Sequence, residues 1–274
     1  MGVLNATPDS FSDGGLHLDL DAAQARVRQM VAEGARWIDV GGESTRPGAA
    51  PVPIADELRR VVPLVEAVAE DCRAAGVGIS VDTRREEVAR AAVAAGATVV
   101  NDVSASLWPV AADLGVGWVA MHMAGDPRTM QNDPRYDDVV DQVRRFLSDR
   151  AAQARAAGVA QVWVDPGIGF GKSTQHNLQL LARLDLLVGD GTPVLVGTSR
   201  KRFTGELLAR SDAGTLRPAA EGVQPTTMSE IEPVPTSDRL VGSLTTAVWA
   251  MIHGARIVRV HDVRATVRAV QALA

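Results

Sequence analysis

Cysteine is all but missing from this sequence. Cys72 is the only one among 274 residues, so no disulfide framework can form and the composition suits a reducing cytoplasm. It falls in a helical pattern with Ala67, Val68 and Ala75, and nothing nearby would depress its pKa, so it reads as a small core residue rather than a nucleophile. An excess of positive charge is missing too. Lys and Arg number 28 against 33 Asp and Glu, for a net charge of −5 and a pI near 5.6. That balance argues against nonspecific binding to nucleic acid or to an acidic membrane surface. No apolar run approaches the ~18 residues of a membrane span, and no charged segment leads into a signal-like apolar stretch. The sequence carries no internal repeat. Its five histidines, His17, His122, His176, His253 and His261, lack the spacing of a structural zinc site.

What is present is an ordinary globular balance, 46% apolar and 22% charged, able to bury a sizeable core. Short apolar runs of β type recur along the chain at residues 2–5, 37–41, 78–82, 98–102, 117–122, 161–165, 193–198 and 256–261. Helical stretches separate them, at 19–34, 55–75, 85–95, 109–114, 137–157, 175–188, 200–209 with 240–254, and 263–273. Strand and helix alternating eight times predicts βαβ units closing into a single parallel α/β (TIM) barrel over residues 1–274, with a doubly wound open sheet as the competing architecture. Gly34, Gly76, Gly96 and Gly158 stand where helices should stop before the next strand. Residues 211–237 break the rhythm. With Pro218, Pro225, Pro233 and Pro235 and no apolar period, they read as a long, mobile loop between two helical stretches. Met1-Gly2-Val3-Leu4-Asn5 already has the pattern of a strand without lead-in residues, so either strand 1 is very short or the true start lies upstream.

Polar residues gather at the C-terminal ends of the strand runs: Asn5, Asp39, Glu43, Asp82, Asn101 with Asp102, His122, Asp165, Ser199 with Lys201, and Arg259 with His261. In a barrel those ends build the active site. Lys201, Arg259 and His261, after strands 7 and 8, form a cationic cluster where barrels commonly bind phosphate, and an Arg fork suits that task. A Mg²⁺ carried by a phosphorylated substrate, held by Asn5 or a carboxylate, is the form of metal site the pattern allows. The run Asp165-Pro-Gly-Ile-Gly-Phe-Gly-Lys172-Ser-Thr invites a phosphate-loop reading but fails its spacing, since Pro166 stands where the first glycine is required; it also fails the dinucleotide fingerprint, with Lys172 in place of the third glycine. It reads instead as a tight turn after strand 6 that leaves Asp165 in the pocket and Phe170 at its rim. Residues 5–15 and 41–48 are polar and glycine-bearing, composed to fold over a ligand rather than to pack a core.

Taken together, residues 1–15, 40–48, 80–83, 101–104, Met121-His122, 165–172, 197–203 and 259–263 resemble one family closely, the dihydropteroate synthases of folate biosynthesis. The resemblance implies a cytoplasmic, homodimeric transferase. It would condense 6-hydroxymethyl-7,8-dihydropterin diphosphate with p-aminobenzoate by a dissociative substitution, use Mg²⁺, and be a sulfonamide target. By match, Asp82, Asn101, Val103, Met121, Asp165, Gly197, Lys201 and Arg259 would bind the pterin, and Asn5, Arg259 and His261 the diphosphate, with Asn5 the metal ligand. Phe11, Thr45, Arg46, Pro47, Phe170, Ser199 and Lys201 would form the p-aminobenzoate pocket. Asp13, Lys201, Arg259 and His261 would act in catalysis, Asp13 by stabilising the developing pterin cation. The departures are Ala105-Ser106 where the family usually has Gly-Gly, the long 211–237 segment and the abrupt start. A pterin-dependent methyltransferase domain shares the barrel but should lack the Ser-Phe-Ser-Asp and Ser-Arg-Lys blocks present here. A pterin-binding paralogue without catalysis usually loses loop residues, whereas Asp13, Arg46 and Lys201 are intact.

Overall fold

The computed structural model describes residues 1–6, 16–43, 51–126, 128–214 and 232–272, with side chains from residue 20 onward in the first helix. Its strands are β1 (Gly2–Asn5), β2 (Trp37–Gly41), β3 (Gly78–Asp82), β4 (Val99–Asp102), β5 (Gly117–Met121), β6 (Val162–Asp165), β7 (Leu195–Val196) and β8 (Ile257–Val258). The first six pair in parallel in chain order, and β7 pairs in parallel with β8. Two narrow seams join these sheets into a closed barrel. Val164 N–H donates to Pro193 O at 3.0 Å, and Val3 N–H donates to Val260 O at 3.0 Å while Val260 N–H donates to Met1 O at 2.9 Å. The open-sheet alternative is thereby excluded.

Helices α1 (Leu16–Ala32), α2 (Ile54–Ala74), α3 (Glu86–Ala94), α4 (Trp108–Leu114), α5 (Val139–Ala156), α6 (Thr174–Ala182), α7 (Leu184–Gly189), α8 (Arg202–Asp212), α9 (Leu240–Ile252) and α10 (Val263–Gln271) follow the strands. Alternate strand residues face them, among them Ile38 and Val40 on β2, Val81 on β3 and Trp118 and Ala120 on β5. These pack with Val27, Val61, Val65, Leu147 and Leu180 in one continuous shell of core. Cys72 lies in that shell, and burial pushes its thiol up to about 11, as befits an inert core residue.

The residues between face into the barrel. At its N-terminal end Val99, Val119 and Leu195 pack with Met1, Trp37, Trp163 and Ile257 in a second, smaller cluster. Trp37 and Trp163 meet edge to face, with centroids 5.8 Å apart, and make the floor. Glycines on the neighbouring strands leave room for the indoles. A Cβ on Gly78 would stand 2.3 Å from the Trp37 ring, and one on Gly117 2.7 Å from the Trp163 ring. Gly78→Ala is therefore expected to lower stability by about 1–3 kcal/mol through overpacking. Thermal denaturation should show a lower Tm, and an unchanged Tm would mean that the floor is loose.

Three sequence expectations need correction. The seventh and eighth strands are shorter than 193–198 and 256–261. Arg259 N–H still reaches Val196 O at 2.9 Å, but beyond it the chain turns, Arg200 takes a φ of +60°, and the Ser199 hydroxyl rather than a backbone carbonyl accepts the His261 N–H at 3.2 Å. The stretch 175–188 is two helices, broken at Arg183, where no glycine or proline marks the break. The expected loop 211–237 is structured at both ends. Ser211 and Asp212 complete α8 and Thr236–Asp238 form a short 3-10 turn, while residues 215–231 lie outside the described residues.

Candidate functional site

Above the tryptophan floor, the next inward residues are polar: Asp39 on β2, Ser80 and Asp82 on β3, Asn101 on β4, Asp165 on β6, and Arg259 just past β8. Their side chains meet across the barrel. Arg259 donates from Nε to Asp39 at 2.6 Å and from Nη2 to Asp82 at 2.8 Å. Asn101 Nδ2 lies 3.3 and 3.5 Å from the two oxygens of the same Asp39 carboxylate. Asp39 is fully buried and ties together two residues named from sequence as pterin ligands. Sequence reasoning placed Asp39 at a strand end and gave it no role.

Two oxygens in this layer, Asp82 Oδ1 and Ser80 Oγ, are buried and have no hydrogen-bond partner among the described residues. Burial lifts the Asp82 carboxyl to about 7, against the pull of Arg259. Burial raises Asp165 as well, opposed by Lys201 and by the Gly167 N–H, which donates to Asp165 Oδ1 at 2.7 Å. Lys201 stands beside them, its Nζ bonded to Ile168 O and 4.6 Å from the centroid of the Phe170 ring. Burial draws its ammonium down to about 8, with Asp165 pulling the other way. Gly197 lies between the two cations, where a Cβ would be 3.7 Å from Arg259 Cβ and 3.8 Å from Lys201 Nζ. The result is a polar layer above the tryptophan floor, a well in the barrel that brings together three carboxylates, an amide, and donors from Lys201 and Arg259.

The raised Asp82 pKa fixes a sign. The folded protein holds this proton more tightly than the unfolded chain, so the contribution of Asp82 to stability is present below about pH 4 and is lost as pH rises towards about 7. Asp82→Asn removes that loss. The Tm of the variant relative to wild type is expected to climb across that interval in ligand-free protein, and parallel Tm curves would show that Asp82 ionises normally.

Other residues named from sequence fall into place around the well. His261 and Ser199 come together, with His261 Nδ1 3.0 Å from Ser199 Oγ. Asn5 ends β1 in register with Gly41. Met121 ends β5 beside Asp165, and Val103 is buried just past β4. Phe11, Asp13, Thr45, Arg46 and Pro47 lie outside the described residues.

Three strand-end polar residues turn out to hold the scaffold instead. Asp102 accepts from the N–H groups of Ser104, Ser106 and Leu107, from Ser104 Oγ and from Trp118 Nε1. That fan of bonds fixes a turn in which Ala105 takes a φ of +49°, a conformation glycine adopts freely, at the point where the sequence departs from the family's Gly-Gly. Glu43 accepts from Arg84, Arg85 and the Val52 N–H, tying the end of β2 to the chain after β3 and to the approach to α2. Buried Glu57 assists from α2 by accepting from Thr83 Oγ1 at 2.7 Å and pairing with Arg85 at 3.3 Å. His122 Nδ1 lies 2.9 Å from Lys172 Nζ. Burial and then the Lys172 charge push its pKa down to about 3, so the ring is neutral and Nδ1 is the acceptor.

The glycine-rich run is a tight turn, as its failed motif spacing suggested. A Cβ on Gly167 would lie 1.9 Å from His122 O and one on Gly171 2.5 Å from Ala124 O, both at positive φ. The turn presses against the chain leaving β5, and only glycine fits there.

Comparison with known proteins places the chain in one family. The family model described as pterin binding enzyme matches residues 1–261. The dihydropteroate synthase of Escherichia coli K12 is 44% identical over 277 residues, covering 99% of this chain and 89% of that protein. Among solved structures, the Xanthomonas albilineans dihydropteroate synthase with 4-aminobenzoic acid superposes with a TM-score of 0.83 at 44% identity, covering 99% of this chain and 90% of that one. The Yersinia pestis dihydropteroate synthase in a sulfonamide drug complex superposes with a TM-score of 0.84 at 42% identity, covering 99% and 91%.

Proposed function

Since the chain belongs to the pterin-binding enzymes, in the branch of the dihydropteroate synthases, we propose that it is the transferase of folate synthesis that joins 6-hydroxymethyl-7,8-dihydropterin diphosphate to p-aminobenzoate. The observation that carries the reading is the buried, unpartnered Asp82 Oδ1, set among Asp165, Asn101 and Arg259. A pterin edge is rich in N–H donors, and these would satisfy the orphaned acceptors. Asp165 and Asn101 would take the amino-pyrimidinone edge, Lys201 would donate to the ring carbonyl, and Arg259 would lie against the ring face. Val103, Met121 and Gly197 would line the same pocket.

In the reaction, the bond between the exocyclic methylene and the diphosphate oxygen breaks first, and its electron pair leaves with diphosphate. The arylamine nitrogen then supplies the pair for the new C–N bond and loses a proton. Charge develops on the leaving group, so donors aimed there matter most. Arg259, His261 and Asn5 would hold it. Asn5 offers one neutral oxygen, and no group of three or more ligating side chains occurs among the described residues, which fits a Mg²⁺ that arrives on the diphosphate and keeps most of its waters. Such an ion would neutralise phosphate charge, with Asn5 as its protein ligand. Asp13 would face the developing cation. The arylamine would sit among Phe170, Ser199, Lys201 and the loop residues Phe11, Thr45, Arg46 and Pro47, a place that sulfonamides, as arylamine mimics, would share.

We also propose a homodimer in the cytoplasm. Val241, Trp249 and Ile252 form an exposed apolar stripe on α9 that a second copy would cover. The single, buried cysteine suits a reducing compartment, and no described helix is long and apolar enough to cross a membrane.

The test is a product assay. Purified protein with Mg²⁺, dihydropterin diphosphate and p-aminobenzoate should yield dihydropteroate by mass, and a sulfonamide should suppress it. Tight pterin binding without product would instead identify a binding protein.

A further inference from the structure

Every carbonyl from Ile168 to Gly171 in the turn after β6 is taken by a side-chain donor. Lys201 Nζ holds Ile168 O, Gln131 Nε2 holds Gly169 O at 2.6 Å, Lys172 Nζ holds Phe170 O at 3.1 Å, and Tyr136 Oη holds Gly171 O at 2.8 Å. The mechanism above uses Lys201 and leaves Lys172 without a task. Yet Lys172 is the costlier choice, an amine only 2% exposed; burial draws its ammonium down to about 7, with Asp165 pulling the other way. A leucine or methionine would fill the same space without that penalty. Lys172 Nζ lies within hydrogen-bond reach of three partners, His122 Nδ1 at 2.9 Å, His122 O at 3.2 Å and Phe170 O at 3.1 Å. These contacts join the end of β5 to the backbone of the one residue in the turn whose ring packs on Lys201.

We propose that Lys172, with His122 as its anchor, is a positioning residue for the arylamine subsite: it tethers the Phe170 backbone to the end of β5 and so holds the Phe170 ring at the distance from Lys201 that the aromatic ring of the second substrate requires. The proposal rests on the function proposed above. The pterin contacts do not depend on this tether in the same way, because Asp165 is fixed from its own strand and by the Gly167 N–H. A lysine that merely filled space would affect both substrates alike.

The test uses the full chain with Lys172→Met, which keeps the shape and loses the donors, and Lys172→Gln, which restores amide donors without charge. Lys172→Met should raise KM for p-aminobenzoate about tenfold or more, while KM for dihydropterin diphosphate stays within about threefold; Lys172→Gln should recover part of the loss. A p-aminobenzoate KM within about twofold of wild type, or parallel rises in both KM values, would overturn the assignment. Amide hydrogen exchange on residues 167–172, read without substrate, separates this from failure of the functional reading. Faster exchange there in Lys172→Met supports the tether even if wild type makes no dihydropteroate, and unchanged exchange rejects it. Should Lys172→Met fail to fold, His122→Phe, which keeps a ring and loses the Nδ1 acceptor, weakens the anchor from the other side while the His122 O contact stays, and is read by the same two measurements with smaller effects in the same direction.

Discussion

Arg259→Met is expected to lower kcat/KM by about 10²–10³, the loss that follows removal of a donor aimed at developing charge. It should also destabilise the ligand-free protein. Arg259 is the counter-ion of Asp39 and Asp82 at 2.6 and 2.8 Å, and Asp39 is fully buried. Taking away one partner of a buried pair strands the other charge, at a cost of about 3–5 kcal/mol. The two losses can be pulled apart. Adding Asp39→Asn to Arg259→Met removes one of the stranded carboxylates, so the double variant should regain much of the stability and none of the turnover. Stability comes from chemical denaturation and turnover from the product assay. If the double variant recovered activity, Arg259 would be only a structural counter-ion, and the leaving group would have to be held by His261 and Asn5 alone.

Gly167→Ala should abolish activity by a different route. Its φ is +65°, where an alanine is strained, and the added methyl would lie 1.9 Å from His122 O, a backbone atom that cannot rotate aside. The turn must move away from the end of β5, and two things go with it. The Gly167 N–H leaves Asp165 Oδ1, and the Ile168 and Phe170 carbonyls leave Lys201 and Lys172. Affinity for the pterin substrate should fall by about 10² or more, measured by calorimetry, because a buried carboxylate has lost its aim. Strand β6 is paired on both sides and should persist, so circular dichroism should remain close to wild type. Near-normal pterin affinity would show that Asp165 is fixed by its strand alone.

How much of this was legible in the sequence depends on the kind of contact. Asp82, Asn101 and Asp165 announce themselves because each is a polar residue closing an apolar run, and strand geometry does the rest. The phase of β4 could have gone further. Asn101 is in step with inward Val99 while Asp102 is in step with outward Val100, so alternation alone separates the residue that faces the well from the turn former. Pairings across the barrel leave no such trace. Asp39 and Arg259 are 220 positions apart, and nothing local to either reveals the other. Lys172 was visible only as the residue that spoiled the dinucleotide fingerprint; that its Nζ would meet three acceptors inside the wall depends on how β5 and β6 lie together. The short β7 and β8 follow from a turn whose stabilising bond, Ser199 Oγ to the His261 N–H, joins segments 62 positions apart.

The tryptophan floor has a kinetic consequence. A vessel stoppered at one end fills and empties through the other, so substrates and products of the proposed reaction would share one doorway. Under the proposed function, a pterin bound at Asp82 and Asp165 would enter before an arylamine settled beside Phe170, and the pterin end of the product would leave last. Such a queue would make the encounter order compulsory. An arylamine that arrives early, or in large excess, stands in the doorway, and a rate that climbs and then falls with its concentration is the signature of a well with no back exit.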